Sequence, residues 1–313
     1  MAARESACRH EESIGSSEEL SRNVSIYMRY AVIRHNLPER KTTRTPSPSV
    51  ELNRKLHDRS NTRFRHKPNF SLQSEMESDE NSSMDSKFYT DAAKYWERIP
   101  ATVDGMLGGF GFISATDIAG STRFLKNLFE SRDPPAKMCA LDCGAGIGRI
   151  TKNLLVHHFK RVDLVEQNPK FLEAAKKSLH CYASRIGEYY AVGLQDFSPP
   201  PETYDVIWCQ WVLGHLRDDH LVDFFKRCSS GLKKNGVLVV KENVTSSNDL
   251  EIDTKDSSMT RPLSGLKNLF EEAELICLNE ERQRNFPREV YPVYMFVLKP
   301  QSSRPPEMNS MSE

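Results

Sequence analysis

The sequence predicts an α/β fold built on a mostly parallel sheet, and three observations support this prediction. From Met138 onwards, short apolar runs alternate with longer segments whose apolar residues recur at helical spacing. A glycine-rich turn follows the first apolar run and precedes the first of these helices. Two further amphipathic segments come before Met138. Strands that alternate with helices require crossover connections, and such connections make neighbouring strands parallel.

The composition fits one large domain or two small ones. The chain has 313 residues, of which 38% are hydrophobic. Its 43 basic and 43 acidic residues balance, so net charge neither favours nor excludes a nucleic-acid partner. No apolar run reaches the ~18 residues of a membrane span and no secretory signal is evident, so no membrane partner is expected. The seven cysteines form no CxxC pair, so no metal site is predicted.

Residues 1–85 are predicted to be a disordered N-terminal extension, because they are polar and carry too little apolar surface to offset chain entropy. The apolar stretch Val24–Ile33 is either incidental or a docking segment. The basic cluster Arg54–Lys67 is a solvated segment, a nuclear-import signal or a nucleic-acid patch. Residues 300–313 are predicted to be a disordered tail.

Residues 86–137 are predicted to form a helical leader. A first helix is predicted from apolar residues at steps of three and four: Phe88, Ala92, Tyr95, Trp96 and Ile99. Pro100 ends this helix. Ser114 is predicted to be the N-cap of a second amphipathic helix.

The remaining elements follow in alternation. The predicted strands are Met138–Leu141, Val162–Val165, Tyr189–Val192, Asp205–Cys209, Val237–Val240, Leu275–Leu278 and Val293–Leu298. The predicted helices run through Leu155 and over Phe171–Leu179, Leu221–Cys228 and Leu266–Ala273. Asn235-Gly236 is predicted to be a turn. The loop before the last strand is short and polar, so the last two strands are expected to pair antiparallel at the edge of the sheet.

The glycine turn at residues 144–148 has the spacing GxGxG. Gly144, Gly146 and Gly148 allow a tight turn and the close approach of a ligand, whereas dinucleotide-binding dehydrogenases use GxGxxG. Glu166, at the end of the next strand, can accept both ribose hydroxyls of an adenosine. Arg149, on the first helical turn, can pair with a carboxylate. The sequence therefore predicts S-adenosylmethionine as the cofactor, with a purely structural turn as the alternative.

Two later strand ends carry polar side chains. Leu194 and Gln195 follow the third predicted strand and suit an adenine contact, although a simple loop is the alternative. Gln210 and Trp211 follow the fourth predicted strand. Ligands of open α/β sheets bind at the carboxyl ends of strands, so these residues are expected to face the same site, unless Trp211 lies in the core.

Several long sequence strings make the chain similar to one family. The strings are Pro100–Gly109, Ala140–Thr151, Leu194–Phe197, Tyr204–Trp208, Gly214–Leu216, Asp256–Ser258 and Glu280–Gln283. The chain resembles the eukaryotic protein N-terminal methyltransferases, which act on the α-amino group of Xaa-Pro-Lys/Arg N-termini. The resemblance covers about Ser86 to Lys299, so residues 86–299 are expected to form the methyltransferase domain.

This resemblance implies a fold, a cofactor site and a peptide channel. The fold is a Rossmann-like class I methyltransferase, with a seven-stranded, mostly parallel sheet, an antiparallel last strand and N-terminal helices over the channel. The implied cofactor residues, with Gly146 from the glycine turn, are Gly144, Gly146, Arg149, Glu166, Leu194, Gln195 and Gln210. The implied peptide-binding residues are Trp96, Leu107, Ile113, Trp211, Asp253, Ser258 and Tyr291. Asp256 and His215 are the candidate proton acceptors, and Asn243 is expected to hold the first peptide carbonyl.

The chain departs from the family pattern at a few positions. Glu166 stands where the family has Asp, Phe110 replaces Tyr, and Glu242 replaces an expected Asp. The segment before Asp253 diverges, so its alignment is less secure than that of Asp256. These differences concern substrate preference and the number of methyl groups transferred.

Further expectations concern substrates, partners and location. The expected partners are proteins with exposed Xaa-Pro-Lys/Arg N-termini, acted on by a monomer in the nucleus and cytoplasm. The alternatives are a methyltransferase of the same fold for another amine, or a non-catalytic binding module. Nucleic-acid methylation is not expected, because Cys209–Val212 lacks the Asn-Pro-Pro-Tyr motif and the domain has no basic stripe.

Overall fold

A computed structural model describes residues 86–301. The predicted extension 1–85, with its apolar and basic stretches, lies outside the described residues, as does the predicted tail from residue 302. The tail prediction was wrong for its first two residues. Pro300 ends the last strand, and the backbone N–H of Gln301 donates to the carbonyl of Glu274 at 2.8 Å. In the described part of the chain, no helix is long and apolar enough to cross a membrane.

The leader is helical, as predicted. Its elements are α1 (86–98), α2 (Val103–Met106), a 3-10 turn (Gly111–Ile113) and α3 (Ser114–Phe129). The N-cap prediction for Ser114 was wrong, because Ser114 is the first helical residue and its hydroxyl accepts a bond from Arg149 Nη1 at 3.4 Å. The side-chain cap in the leader belongs to Thr102, whose hydroxyl accepts from the Gly105 N–H.

A seven-stranded sheet forms the centre of the domain. Its strands are β1 (Cys139–Cys143), β2 (Arg161–Val165), β3 (Ile186–Tyr190), β4 (Tyr204–Gln210), β5 (Leu232–Asn243), β8 (Leu275–Arg282) and β9 (Val293–Pro300). A separate hairpin pairs β6 (Glu251–Asp253) with β7 (Ser258–Thr260). The sheet order is β3-β2-β1-β4-β5-β9-β8, and β1 to β5 are parallel. The predicted α/β class, the antiparallel last strand and the antiparallel pairing of the last two strands at the sheet edge are confirmed. β8 is the edge strand, and β9 lies between it and β5.

Helices cover both faces of the sheet. After β1 come α4 (149–158), α5 (Pro169–Ser178), α6 (Asp218–Gly231) and α7 (Leu263–Glu272). Along β4, Ile207 and Cys209 belong to the core that includes α6 and α7 residues, whereas Val206 and Trp208 belong to the core with α3 and α4. This alternation is the two-residue period of a strand that is buried on both faces.

Two predicted elements had wrong bounds. The third strand is Ile186–Tyr190, not Tyr189–Val192, because β3 lies at the sheet edge and is only partly buried, so its apolar pattern is weak. Asn235-Gly236 lies inside β5 rather than before it. The register there shifts from the Tyr204–Leu232 pair to the Val206–Val237 pair, so β5 has three more residues than β4 between the two pairs. The predicted turn lies within this bulged segment of a longer strand.

Candidate active site

A cavity opens at the carboxyl ends of β1, β2 and β4, beneath α1. About 970 Å³ of empty space lies inside the cavity and its open mouth, and part of that space is open to solvent. All seven predicted cofactor residues line it: Gly144, Gly146, Arg149, Glu166, Leu194, Gln195 and Gln210. Four predicted peptide-side residues line it as well: Trp96, Leu107, Trp211 and His215. The cavity therefore brings together all the predicted cofactor residues and part of the predicted peptide side.

The glycine turn forms one wall of this cavity. Gly144, Gly146 and Gly148 have φ values of +68°, +55° and +76°, in the left-handed region that favours glycine. A Cβ atom at Gly144 would overlap the side chain of Val212, which also lines the cavity. Glycine at position 144 therefore allows the left-handed backbone conformation and also the close contact with Val212.

Glu166 joins the glycine turn to β2. Its Oε2 accepts the N–H of Gly146 at 3.0 Å, and its Oε1 accepts the N–H of Asn168 at 2.8 Å. Burial raises the pKa of Glu166, and these backbone bonds oppose the rise. Each carboxylate oxygen has a second lone pair, so Glu166 retains acceptors for the two hydroxyls of a ribose.

Arg149 is held by a buried carboxylate that the sequence did not reveal. Its Nη1 donates to Asp117 Oδ2 at 2.7 Å, and its guanidinium lies 5.5 Å from the Trp211 ring centroid. Asp117 also accepts from Gln210 Nε2 at 2.9 Å and forms an ion pair with Lys241. Burial opposes ionisation of Asp117, but the nearby Lys241 and Arg149 outweigh it and lower its pKa.

The side-chain amide of Gln210 is already committed. Its Nε2 donates to Asp117, and its Oε1 accepts the indole N–H of Trp208 at 3.1 Å. Gln210 lines the cavity as predicted, but one N–H is all that its amide still offers to a ligand as a donor. The geometry indicates that Gln210 serves mainly to hold Asp117.

The loop after β3 is fixed by Arg227 of α6. The Arg227 guanidinium donates to the carbonyls of Leu194 and Gln195 at 2.9 Å and to that of Phe197 at 2.8 Å. Three bonds from one planar guanidinium restrict the loop to one conformation. The Leu194 and Gln195 segment therefore presents a rigid surface to the cavity.

A second buried carboxylate lies behind the glycine turn. Asp142, in β1, accepts from the backbone N–H and the hydroxyl of Thr151 at 3.1 and 2.6 Å. Burial raises the pKa of Asp142 to about 6, although the Thr151 bonds oppose this shift. Asp142 thereby links the end of β1 to α4, the helix that carries Arg149.

His215 connects the cavity to the hairpin. The indole N–H of Trp96 donates to His215 Nε2 at 3.0 Å, and His215 Nδ1 lies 3.2 Å from the carbonyl oxygen of Ser257. Because an indole N–H can only donate, Nε2 is the acceptor, and the proton of the neutral ring lies on Nδ1. Burial lowers the pKa of His215, against the opposing charge of Asp256, so the ring is neutral at pH 7.

This tautomer qualifies one prediction. His215 was predicted to accept a proton from the substrate, but its Nε2 lone pair already accepts the bond from Trp96. It can take up a proton only when Trp96 releases Nε2. In this arrangement His215 orients Trp96 in the cavity wall.

The hairpin carries three of the predicted residues at buried positions. Asp256 and Ser258 have no exposed surface, and the Ser258 hydroxyl donates to Asp256 Oδ1 at 2.6 Å. Asp253 pairs with Ser258 across the hairpin, and its Oδ1 accepts the N–H of Lys255 at 2.8 Å. None of the three lines the cavity itself; the His215–Ser257 contact joins their hairpin to it.

Arg261 anchors this hairpin, and the sequence did not single it out. Its guanidinium donates to the carbonyls of Leu213 and Leu216 at 3.1 and 2.6 Å and to Asp218 at 2.8 Å. Leu213–His215 is the 3-10 turn that carries His215. Arg261 therefore fixes the hairpin relative to the turn.

The other predicted peptide-side residues do not line the cavity. Asn243 is buried at the carboxyl end of β5, and its backbone N–H donates to Glu242 Oε1 at 2.9 Å. The hydroxyl of Tyr291 donates to Glu251 of the hairpin at 2.7 Å. Ile113 is buried against Leu107 in a small cluster that also includes Trp211. Ile113 thus backs the wall rather than lining the cavity.

Trp211 has two unusual properties. Its backbone φ is +54°, which costs free energy in a bulky residue. Its indole N–H is buried and has no hydrogen-bond partner within residues 86–301. Such buried donors are rare in proteins, so this N–H needs a partner that the described residues do not supply, either a water molecule or a bound ligand.

These features define the class of protein. The parallel sheet with an inserted antiparallel β9, the left-handed glycine turn and an acidic residue at the end of β2 are those of a class I methyltransferase. The site fits S-adenosylmethionine: the glycine wall admits a close ligand, Glu166 suits the ribose, and Arg149 suits the methionine carboxylate.

Comparisons with known proteins give the family. The sequence model of the family described as AdoMet dependent proline di-methyltransferase matches residues 84–299. The N-terminal Xaa-Pro-Lys N-methyltransferase 1 of Xenopus tropicalis is 52% identical over 218 residues, which are 69% of this chain and 96% of the relative. The protein of the same name from Homo sapiens is 48% identical over 214 residues, 68% of this chain and 96% of the relative.

A solved structure of a SAM-dependent methyltransferase from Leishmania major agrees in fold. It has a TM-score of 0.64 and 39% identity, covering 68% of this chain and 83% of the Leishmania chain. This chain belongs to the AdoMet-dependent proline di-methyltransferase family, and it is an S-adenosylmethionine-dependent methyltransferase.

Proposed function

We propose that this protein transfers methyl groups from S-adenosylmethionine to the α-amino group of protein N-termini that read Xaa-Pro-Lys or Xaa-Pro-Arg after removal of Met. The single observation that carries this proposal is the junction at His215. This residue joins the cofactor cavity to a buried acidic hairpin through Trp96 on one side and Ser257 on the other. The names and identities of the relatives support the same substrate class.

The chemistry requires a neutral amine. Bound S-adenosylmethionine supplies an electrophilic methyl group on a sulfonium. A free α-amino group has a pKa near ~7.7–8.0, so its deprotonation costs little at neutral pH. Asp256 is the proposed proton acceptor, because a buried carboxylate beside a neutral histidine suits general-base catalysis. His215 orients Trp96 and assists once its Nε2 is released.

The remaining residues bind and orient the peptide. Trp96 and Trp211 offer flat apolar surfaces to the proline at position two. Asn243 offers a side-chain N–H to the first peptide carbonyl. Asp253, beside the turn of the hairpin, pairs with the Lys or Arg at position three. Leu107, Ile113, Ser258 and Tyr291 complete the peptide side.

We further propose that the enzyme acts as a monomer in the nucleus and cytoplasm. The basic cluster Arg54–Lys67 supports a nuclear pool.

A peptide panel tests the substrate class. The wild-type protein is incubated with S-adenosylmethionine and an Ala-Pro-Lys peptide, either with a free N-terminus or acetylated, and S-adenosylhomocysteine formation is followed. We expect turnover with the free amine and none after acetylation, because an amide nitrogen is not nucleophilic. An Ala-Gly-Gln peptide serves as the matched control and is expected to be a poor substrate. Equal turnover of the acetylated peptide would instead favour a methyltransferase for another amine.

A further inference from the structure

A buried polar cluster lies under the cavity, and the proposed function gives its central ion pair no role. Asp117 of α3 and Lys241 of β5 both have no exposed surface and form an ion pair. The cluster also contains Arg149, Gln210 and Gln283, each in direct hydrogen-bond contact with one member of the pair. The desolvation of a buried ion pair can cost more free energy than the attraction between the charges returns. Fold stability alone therefore does not explain why such a cluster lies at a cavity wall.

Lys241 is anchored on several sides. Its ammonium donates to Ser121 Oγ and Gln283 Oε1, both at 2.9 Å, and to the backbone carbonyl of Asp117 at 3.2 Å. Gln283 in turn donates to the carbonyl of Thr116 at 3.3 Å. These bonds join α3 to the centre of the sheet. The position of the Asp117 carboxylate is therefore set by β5.

Asp117 passes this constraint on to Arg149. One guanidinium nitrogen, Nη1, is bonded to Asp117, while the guanidinium lies near the ring of Trp211. Among the described residues, no acceptor binds Nε or Nη2 of Arg149. Those donors remain for an acceptor in the cavity that Arg149 lines.

The charge of the cluster also suits an anion. Two cations, Lys241 and Arg149, face the single carboxylate of Asp117. A surplus positive charge in a buried cluster at the cavity wall favours an anionic ligand group, more strongly than it would in water. The carboxylate of the methionine part of S-adenosylmethionine is the anion that the proposed cofactor brings to this wall.

We propose that Asp117 and Lys241 are positioning residues, which hold Arg149 in the orientation that binds the cofactor's carboxylate. This inference rests on the proposed cofactor site. Neither residue touches the methyl group or the peptide in the proposal. Asp117 therefore affects the affinity for the cofactor, whereas the residues on the peptide side carry the chemical step.

A double-mutant cycle on the full-length protein tests this role. The dissociation constant of S-adenosylmethionine is measured by calorimetry for wild type, Asp117→Asn, Arg149→Met and the double variant. We expect Asp117→Asn to weaken binding by about tenfold in the wild-type background and by less than about twofold in the Arg149→Met background. Equal weakening in both backgrounds would show a general structural role and overturn the proposal.

A second ligand gives a readout that a structural role would not produce. 5′-Methylthioadenosine has the adenosine and the thioether of the cofactor but no carboxylate. We expect Asp117→Asn to leave the affinity for this compound unchanged. A parallel loss of affinity for both ligands would contradict action through Arg149.

The Asp117→Asn variant must also be shown to fold. Asn at position 117 leaves Lys241 buried without its counter-charge, which can destabilise the protein. If that variant does not fold, Asp117→Asn with Lys241→Met removes both charges, and the cycle is repeated with it and with the same expectation.

Asp205→Asn is the matched control, because Asp205 is a buried carboxylate paired with Lys233 at the other end of β4. Its affinity for S-adenosylmethionine is expected to match wild type, and a loss equal to that of Asp117→Asn would overturn the proposal. Failure of the proposed function has a different signature: wild type would bind S-adenosylmethionine but methylate no peptide.

Discussion

Replacing Asp256 with Asn is expected to lower kcat on an Ala-Pro-Lys peptide by ~10²–10⁴-fold, the range of general acid–base catalysis. Asn preserves the size of the side chain and can still accept the Ser258 hydroxyl, but it cannot take a proton from the amine. Asp256 does not line the cofactor cavity, so the dissociation constant of S-adenosylmethionine is expected to stay within about twofold of wild type. Single-turnover kinetics and calorimetry measure the two quantities.

The matched control for this variant is Ser258→Ala. It removes the 2.6 Å hydrogen bond to Asp256 but keeps the carboxylate, so the loss in kcat is expected to be much smaller. A wild-type kcat for Asp256→Asn, or a loss of cofactor affinity as large as the loss of kcat, would contradict the assignment of Asp256 as proton acceptor.

Replacing Gly144 with Ala is expected to weaken binding of S-adenosylmethionine by about 100-fold, measured by calorimetry. The φ of +68° costs an alanine roughly 1–2 kcal/mol, and the overlap of its Cβ with Val212 adds about 1–3 kcal/mol. The turn relieves this strain by moving, and movement displaces the Gly146 N–H that holds Glu166.

A second substitution separates the two causes. Adding Val212→Ala to Gly144→Ala removes the steric overlap but not the backbone strain, so part of the affinity is expected to return. Wild-type affinity in Gly144→Ala itself would mean that the glycine turn is not a wall of the cofactor site.

The fold was predictable where both faces of a strand are buried. β1, β2 and β4 are almost fully buried and rich in apolar residues, and the prediction placed them within two residues of their bounds. β3 lies at the edge of the sheet and was misplaced. The β6–β7 hairpin was missed because its strands are only three residues long and the apolar Ile252 is exposed, so no alternating pattern marks them. The bulge in β5 depends on its partner β4, which local sequence does not encode.

The site was predictable where a local motif carries it. The glycine turn, Glu166 and the strand-end residues follow from spacing and lie around one cavity. Asp117 and Lys241 come from elements 124 residues apart, so their pairing is a property of the tertiary structure. The sequence held one indication of this pair. Lys241 directly follows the apolar run Val237–Val240, and a lysine in a buried strand needs an acidic or polar partner. The peptide-side roles came from resemblance, and for His215 the hydrogen bond from Trp96 changed the interpretation.

The most direct test of the central claim locates the transferred methyl group. An Ala-Pro-Lys peptide is incubated with wild-type protein and S-adenosylmethionine, and the product is fragmented by tandem mass spectrometry. We expect every added methyl group on the fragment that contains the first residue alone, because the substrate amine must reach the end of the channel beside His215 and Asp256. Methyl groups on the lysine side chain, with an unmodified first residue, would contradict the assignment of this protein as an α-amino methyltransferase.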